Sequence, residues 1–149
     1  MNKKILALLI VLISAISIAS VCASENLVSH DFGNFKMNIP DAPNNVAEFQ
    51  GSVNQKLYNI SNTDQSLFAT VAYYDSSNTN GNNNTTDFVL NVGFKDVKDK
   101  QTNGNVTSFK APNGVDNVYC ISSSDDSKVL VIISGDVRIQ DAVNSVEFK

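Results

Sequence analysis

Between residues 33 and 39, hydrophobic side chains recur at every second position. In GNFKMNI (33–39), Phe35, Met37 and Ile39 share one side and Lys36 and Asn38 the other, the pattern of a half-buried strand that Pro40 ends. PDAPNN then predicts a loop. QKLYNIS (55–61) and SLFATVAYY (66–74) predict two further strands, joined by a turn at NTDQ (62–65). On the longer one, Leu67, Ala69, Val71 and Tyr73 form one face and Phe68, Thr70, Ala72 and Tyr74 the other. Both faces are apolar enough to place it centrally in a sheet.

The stretch 75–86 carries no apolar residue and predicts a solvated loop. A helix is predicted from about Asp87 to Val97, with Leu90, Phe94 and Val97 on one stripe and Thr86 or Asp87 as its cap. Gly93 weakens that helix by about 1 kcal/mol relative to Ala. KDKQTNGN predicts a loop and NVTSFKA (105–111) a strand ended by the turn PNG. VDNVYCIS (115–122) and KVLVIIS (128–134) predict a hairpin around SSDDS. Val129–Ile133 is apolar without alternation, which suits burial on both faces. Asp136 is placed to cap a last helix in which Ile139, Ala142, Val143 and Val146 share a face. The predicted order is β-β-β-α-β-β-β-α, an α+β fold with a mainly antiparallel sheet and two helices.

Upstream, Lys3 and Lys4 precede an apolar run beginning at Ile5, and Val21 and Ala23 stand at −3 and −1 of a signal-peptidase site. Residues 1–23 therefore read as a secretory signal and 24–149 as one domain. Two alternatives are an uncleaved N-terminal anchor, which would be the chain's only link to a membrane, and a lipoprotein acylated at Cys22. All three put the domain outside the cytoplasm, secreted or at the cell surface. Removal of the leader takes Lys3 and Lys4 and no acid, so the formal charge moves from −4 to −6. It also takes Cys22 and leaves Cys120 alone.

FKMNIPDAP (35–43) and KVLVIISGDVRIQDAVNSVEF (128–148) together resemble the PsbP-like α/β/α sandwich domains over about residues 32 to 149. The Trp usual after the opening Pro is absent, since the chain has none. The resemblance implies a binding or accessory module without catalytic residues and supplies no motif from which a site could be carried over. In composition the chain is also similar to small secreted Asn-rich archaeal or bacterial proteins.

Composition narrows the chemistry. The 149 residues are 42% hydrophobic and 17% charged, enough apolar material for a packed core. An acidic chain whose single arginine is Arg138 lacks the basic patch of a nucleic-acid binder. The single histidine, His30, lies in polar LVSHDFG and reads as an exposed residue before the first strand; Cys120 reads as a buried small hydrophobe, with a Cys-His pair as the sharper alternative. Ser76, Asn78, Asn80, Gly81 and Asp87 occupy EF-hand-like positions, but the loop supplies one carboxylate, so no metal site is expected. No Gly-rich phosphate loop is present and no cofactor is implied. Sequons occur at Asn59, Asn83, Asn84 and Asn105; the last three fall in predicted loops and are glycosylation candidates.

What remains is a non-catalytic secreted or cell-surface binding module of unspecified ligand. Tyr58, Tyr73 and Tyr74 are the aromatic candidates for contact, with the sheet–helix seam as the other place a ligand would lie. Two alternatives are a small extracellular hydrolase built on carboxylates and a structural component of a cell envelope or adhesin, assembled by edge-strand pairing.

Overall fold

The computed structural model describes residues 26–51, 55–79 and 84–149. The leader with Cys22, and Asn80, Gly81 and Asn83, lie outside the described residues. Ten strands and two α-helices form among those described: β1 (Leu27–Asp31), β2 (Phe35–Pro40), β3 (Val46–Gln50), β4 (Lys56–Ser61), β5 (Leu67–Asp75), α1 (Thr85–Gly93), β6 (Gln101–Asn103), β7 (Val106–Lys110), β8 (Asn117–Ser122), β9 (Lys128–Ser134), α2 (Ile139–Asn144) and β10 (Glu147–Phe148). The class is α+β. A seven-stranded sheet runs β3-β4-β5-β9-β8-β7-β6 and a three-stranded sheet runs β1-β2-β10, with every pairing antiparallel.

The two most apolar segments, β5 and β9, pair with each other near the middle of the large sheet. Their side chains go to opposite faces and are buried on both. On one face Val71, Tyr73, Leu130 and Ile132 meet Phe35, Met37 and Ile39 of the small sheet and Ile139, Ala142 and Val143 of α2. On the other, Ala72, Tyr74, Val129, Val131 and Ile133 meet Val89 of α1 and Phe94 just after it, with Phe109, Val118 and Cys120. We call these the small-sheet face and the α1 face.

One detail departs from simple alternation. Ile60 pairs with Ala69 but Ser61 pairs with Leu67, so Phe68 is an extra residue in a bulge. Phe68 consequently joins Ala69 and Val71 on the small-sheet face, and Leu67 packs toward the α1 face. The strict alternation expected at the start of β5 is therefore reversed there.

The helices also differ from expectation at their ends. α1 starts at Thr85 and stops at Gly93, four residues short of Val97, because Phe94 leaves helical geometry (φ −138°) and is buried in the core. Neither Thr86 nor Asp87 caps it. Its first turn is held by Asp126 of the β8–β9 hairpin: the Thr86 N–H and hydroxyl donate to the Asp126 carboxylate, and the Thr85 N–H to its carbonyl at 3.2 Å. Asp136 lies outside the N-cap position of α2, which Arg138 occupies, and shapes the entry turn by accepting the Arg138 N–H at 2.9 Å. Strands β1, β3, β6 and β10 fall where no strand was predicted, and His30 lies within β1.

Asp126 has φ +53°, so its substitution tests cap and backbone together. Asp126→Ala should lower the urea-unfolding free energy by about 1–2 kcal/mol for the lost cap, with about 1 kcal/mol more for alanine in left-handed geometry. Asp126→Asn, which keeps an acceptor and tolerates that geometry, should cost only about 0.5 kcal/mol.

Candidate functional site

The tyrosines singled out in the sequence are core residues. Tyr58, Tyr73 and Tyr74 are 3%, 2% and 2% exposed. The first two pack beneath the small sheet, with Tyr58 edge-on to Phe32 and Phe35 and Tyr73 stacked 6.0 Å from Phe35. Tyr74 faces α1, and its hydroxyl accepts from Gln55 Nε2 at 2.7 Å. Burial pushes the Tyr58 phenol up to about 12, with Glu48 and Tyr73 adding to it. These rings supply packing and no exposed aromatic platform.

The other sequence candidates are also placed. Ser76 and Asn78 sit in a 3₁₀ turn (Ser76–Thr79), and Asp87 lies in the first turn of α1, accepting from Asn84 Nδ2 at 2.8 Å. Among the described residues no cluster of three or more His, Cys, Asp or Glu could hold a metal. Asn84 and Asn105 are exposed, the Asn105 amide donating to the Ser122 carbonyl at 2.9 Å. Asn59 is half-buried on β4, accepting from Thr70 at 3.0 Å. Cys120 is buried on the α1 face, and burial pushes its thiol up to about 12 against a smaller lowering by Lys100. His30 is half-buried edge-on to Phe32, which packs on the small-sheet face. The sheet thus separates the thiol from the imidazole.

The covering layers determine where a ligand has room. The small sheet and α2 overlie β4, β5 and β9, so the outer strands β6, β7 and β8 keep part of that face open. A groove of about 460 Å³ forms there against α2. Its floor is two cross-strand rows: Gln101, Ser108 and Tyr119 in one, Lys110 and Asn117 in the other. Gln140 of α2 forms a wall, and Lys98 and Asp99 of the α1–β6 loop complete the rim.

Tyr119 is half-buried against the core, and burial raises its phenol. Sequence reasoning passed over it. The strand pattern alone does not single it out: Tyr58, between Lys56 and Ile60, has the same kind of same-face neighbours as Tyr119, between Asn117 and Ile121, and it is Phe32 and Phe35 over Tyr58 that separate the two. A second concavity of about 540 Å³ is lined by residues 42–45, 61–63 and 65 and has neither an aromatic nor a charged side chain in its lining. The groove is the richer chemical surface: amides, a hydroxyl, a phenol and ammonium groups converge on it, as at sites that recognise a small ligand.

No protein-family model, no curated protein and no solved structure matches this chain.

The single arginine is used by the fold. Arg138 donates to Asp136 at 2.8 Å and to Asn62 Oδ1 at 2.7 Å, and its guanidinium lies 5.3 Å from the Phe68 ring centre. The bulge places Phe68 where the guanidinium can lie against it. Burial pushes the Asp136 carboxyl up, but the hydrogen bonds and charge of Arg138 outweigh it and hold the group below the usual carboxylate value. A carboxyl depressed in the folded state stabilises above its unfolded pKa and loses that contribution as pH falls through the folded one. In Arg138→Leu the guanidinium's hydrogen bonds and charge are lost, while burial, the backbone N–H of residue 138 and Asn62 remain, so the carboxyl rises and most of this pH-dependent contribution disappears. The stability deficit of Arg138→Leu should therefore be greatest near neutrality. It should shrink as pH falls through the carboxylate range, measured by urea unfolding at a series of pH values.

Proposed function

We propose that this protein is a non-catalytic binding or accessory module, exported to the cell surface or medium, that holds a polar ligand in the groove between α2 and the open half of the large sheet. The observation that carries the reading is the groove floor: Tyr119, Ser108, Gln101, Asn117 and Lys110 in two adjacent rows of a rigid sheet. Side chains on paired strands are held by the main-chain ladder, so their hydrogen-bonding groups are organised before a ligand arrives.

The groove contains one carboxylate, Asp99, where hydrolysis by a carboxylate pair needs two. That composition favours binding over the hydrolase alternative. The PsbP-like resemblance points the same way, toward an accessory role. Export rests on the leader: two lysines, an apolar run and small residues at the cleavage positions.

Two measurements test this reading. Protein recovered from the culture medium or cell surface should begin at Ser24; intact chain confined to the cytosol would overturn the export part. For the site, amide chemical-shift mapping with chito-oligosaccharides, galactan fragments, oligogalacturonates and short peptides should show perturbations centred on β6–β8 and Gln140. Ser108→Trp, which fills the groove floor from a half-buried position, should weaken that binding by about tenfold or more, equivalent to about 1.4 kcal/mol. Perturbations confined to another surface, or affinity unchanged in Ser108→Trp, would sink the assignment.

A further inference from the structure

The ligand's chemical class can be read from the groove lining, on the understanding that the groove is the ligand site. We infer that it takes an acidic saccharide, a sugar bearing a carboxylate.

Charge is the first ground. Lys98 on the rim and Lys110 at the end of the floor are both exposed, with Asp99 as the lone acid. The groove is therefore net positive in a chain whose formal charge is −4. Lys98 makes no hydrogen bond or ion pair among the described residues, and Lys110 makes one long bond, 3.4 Å to the Val115 carbonyl. Their ammonium groups are available to an incoming anion. The neighbouring Lys100 is committed elsewhere: it donates to the Val97 carbonyl at 2.9 Å and lies 6.0 Å from the Phe109 ring centre.

The floor supplies the second ground. Gln101 and Asn117 each carry a carbonyl acceptor and an NH₂ donor, the complement of vicinal hydroxyls that both donate and accept. Gln140 donates to Asn144 at 3.1 Å and keeps its carbonyl oxygen for a ligand. The Tyr119 phenol, which has no hydrogen-bond partner among the described residues, presents a further donor beside a half-buried ring.

What the lining lacks decides between ligand classes. Phe109 borders the groove but is 6% exposed, its ring turned to the other face 4.9 Å from Phe94. No apolar subpocket is left for a peptide's anchoring side chain or an acyl chain. The arginine that would grip a phosphate through two parallel hydrogen bonds is bound to Asp136 and Asn62 instead. Two ammonium groups offset by one carboxylate suit a singly charged group set among hydroxyls.

The test is calorimetric titration of the full-length protein with short oligogalacturonates, with monomeric galacturonate and with neutral galactan fragments. The acidic oligomers should bind at least about tenfold tighter than the neutral ones, with affinity falling as salt rises. The monomer shows whether a single sugar acid suffices: oligomers binding tighter than monomer indicate a polymer source, and equal affinity a free sugar acid, both within the inference. The Lys98→Gln/Lys110→Gln variant should lose that preference, while Lys36→Gln/Lys56→Gln, with the same change of charge on β2 and β4, strands that do not line the groove, should keep it.

Equal binding of acidic and neutral oligomers, blocked by Ser108→Trp, would overturn the acidic class and leave the groove reading intact. Equal losses in the two lysine variants would reduce the effect to general electrostatics and overturn the site. Binding of a peptide alone would overturn the saccharide, and binding of none of these probes would overturn it as well.

Discussion

The constraint on which the structure depends is that β5 and β9 are apolar on both sides. A strand pair buried on one face would need a single covering layer; this pair needs two. One is the small sheet with α2, the other α1. Burial of Val71, Ile132, Val131 and Ile133 is the driving term, at about 25 cal/mol for each Å² of apolar surface removed from water. Neither covering layer spans the whole seven-stranded sheet. The small sheet and α2 leave the outer strands partly uncovered, and the groove is that uncovered area.

The two layers are tied to the sheet by polar devices that reach across the chain. Asp126, at the tip of a hairpin, holds the first turn of α1 forty residues earlier. Arg138 ties the entry to α2 to the β4–β5 turn through Asn62 and to the bulge through Phe68. The Ser134 hydroxyl donates to the Phe68 carbonyl, so the bulge is held from β9 as well. Chain ends and turns that burial alone would leave loose are positioned by such bonds, and α2, which walls the groove with Gln140, is among the elements so placed.

The central strands were legible because burial leaves a periodic mark. LFATVAYY and VLVII announced themselves, as did the turns at Asn62–Gln65, Asn113–Gly114 and Ser123–Ser127. β3 was illegible because it is an edge strand whose residues 47–50 are all exposed, Phe49 included. β1, another edge, likewise shows little burial, and β6 and β10 are too short to show a period. The bulge at Phe68 could not be read either, since it depends on the partner strand. Asp126 as the cap of α1 was hidden for the same reason: Thr86 and Asp87 stand at the helix start in sequence, but the hairpin stands there in space.

The candidate site was the least legible feature, and the reason is physical. Tyr58, Tyr73 and Tyr74 attracted notice because aromatic residues mark ligand contacts, yet the same ring area makes them favourable core residues. Whether a strand tyrosine is core or open is decided by what covers its face, which the strand's own residues do not record: Tyr58 lies beside Lys56 and opposite Glu48 yet is buried under Phe32 and Phe35. Tyr73, between Leu130 and Lys56 on the neighbouring strands, is likewise covered by Phe35 of the small sheet. Tyr119 shares its face with Asn117 and pairs with Ser108, so its row becomes polar one strand outward from the core. The groove begins at that transition: the ring buries one side against Ile132, its β9 partner, and the phenol stands among amides. A side chain positioned by the core on one side and open to polar neighbours on the other is fixed in place yet available for contact, which the fully buried tyrosines are not.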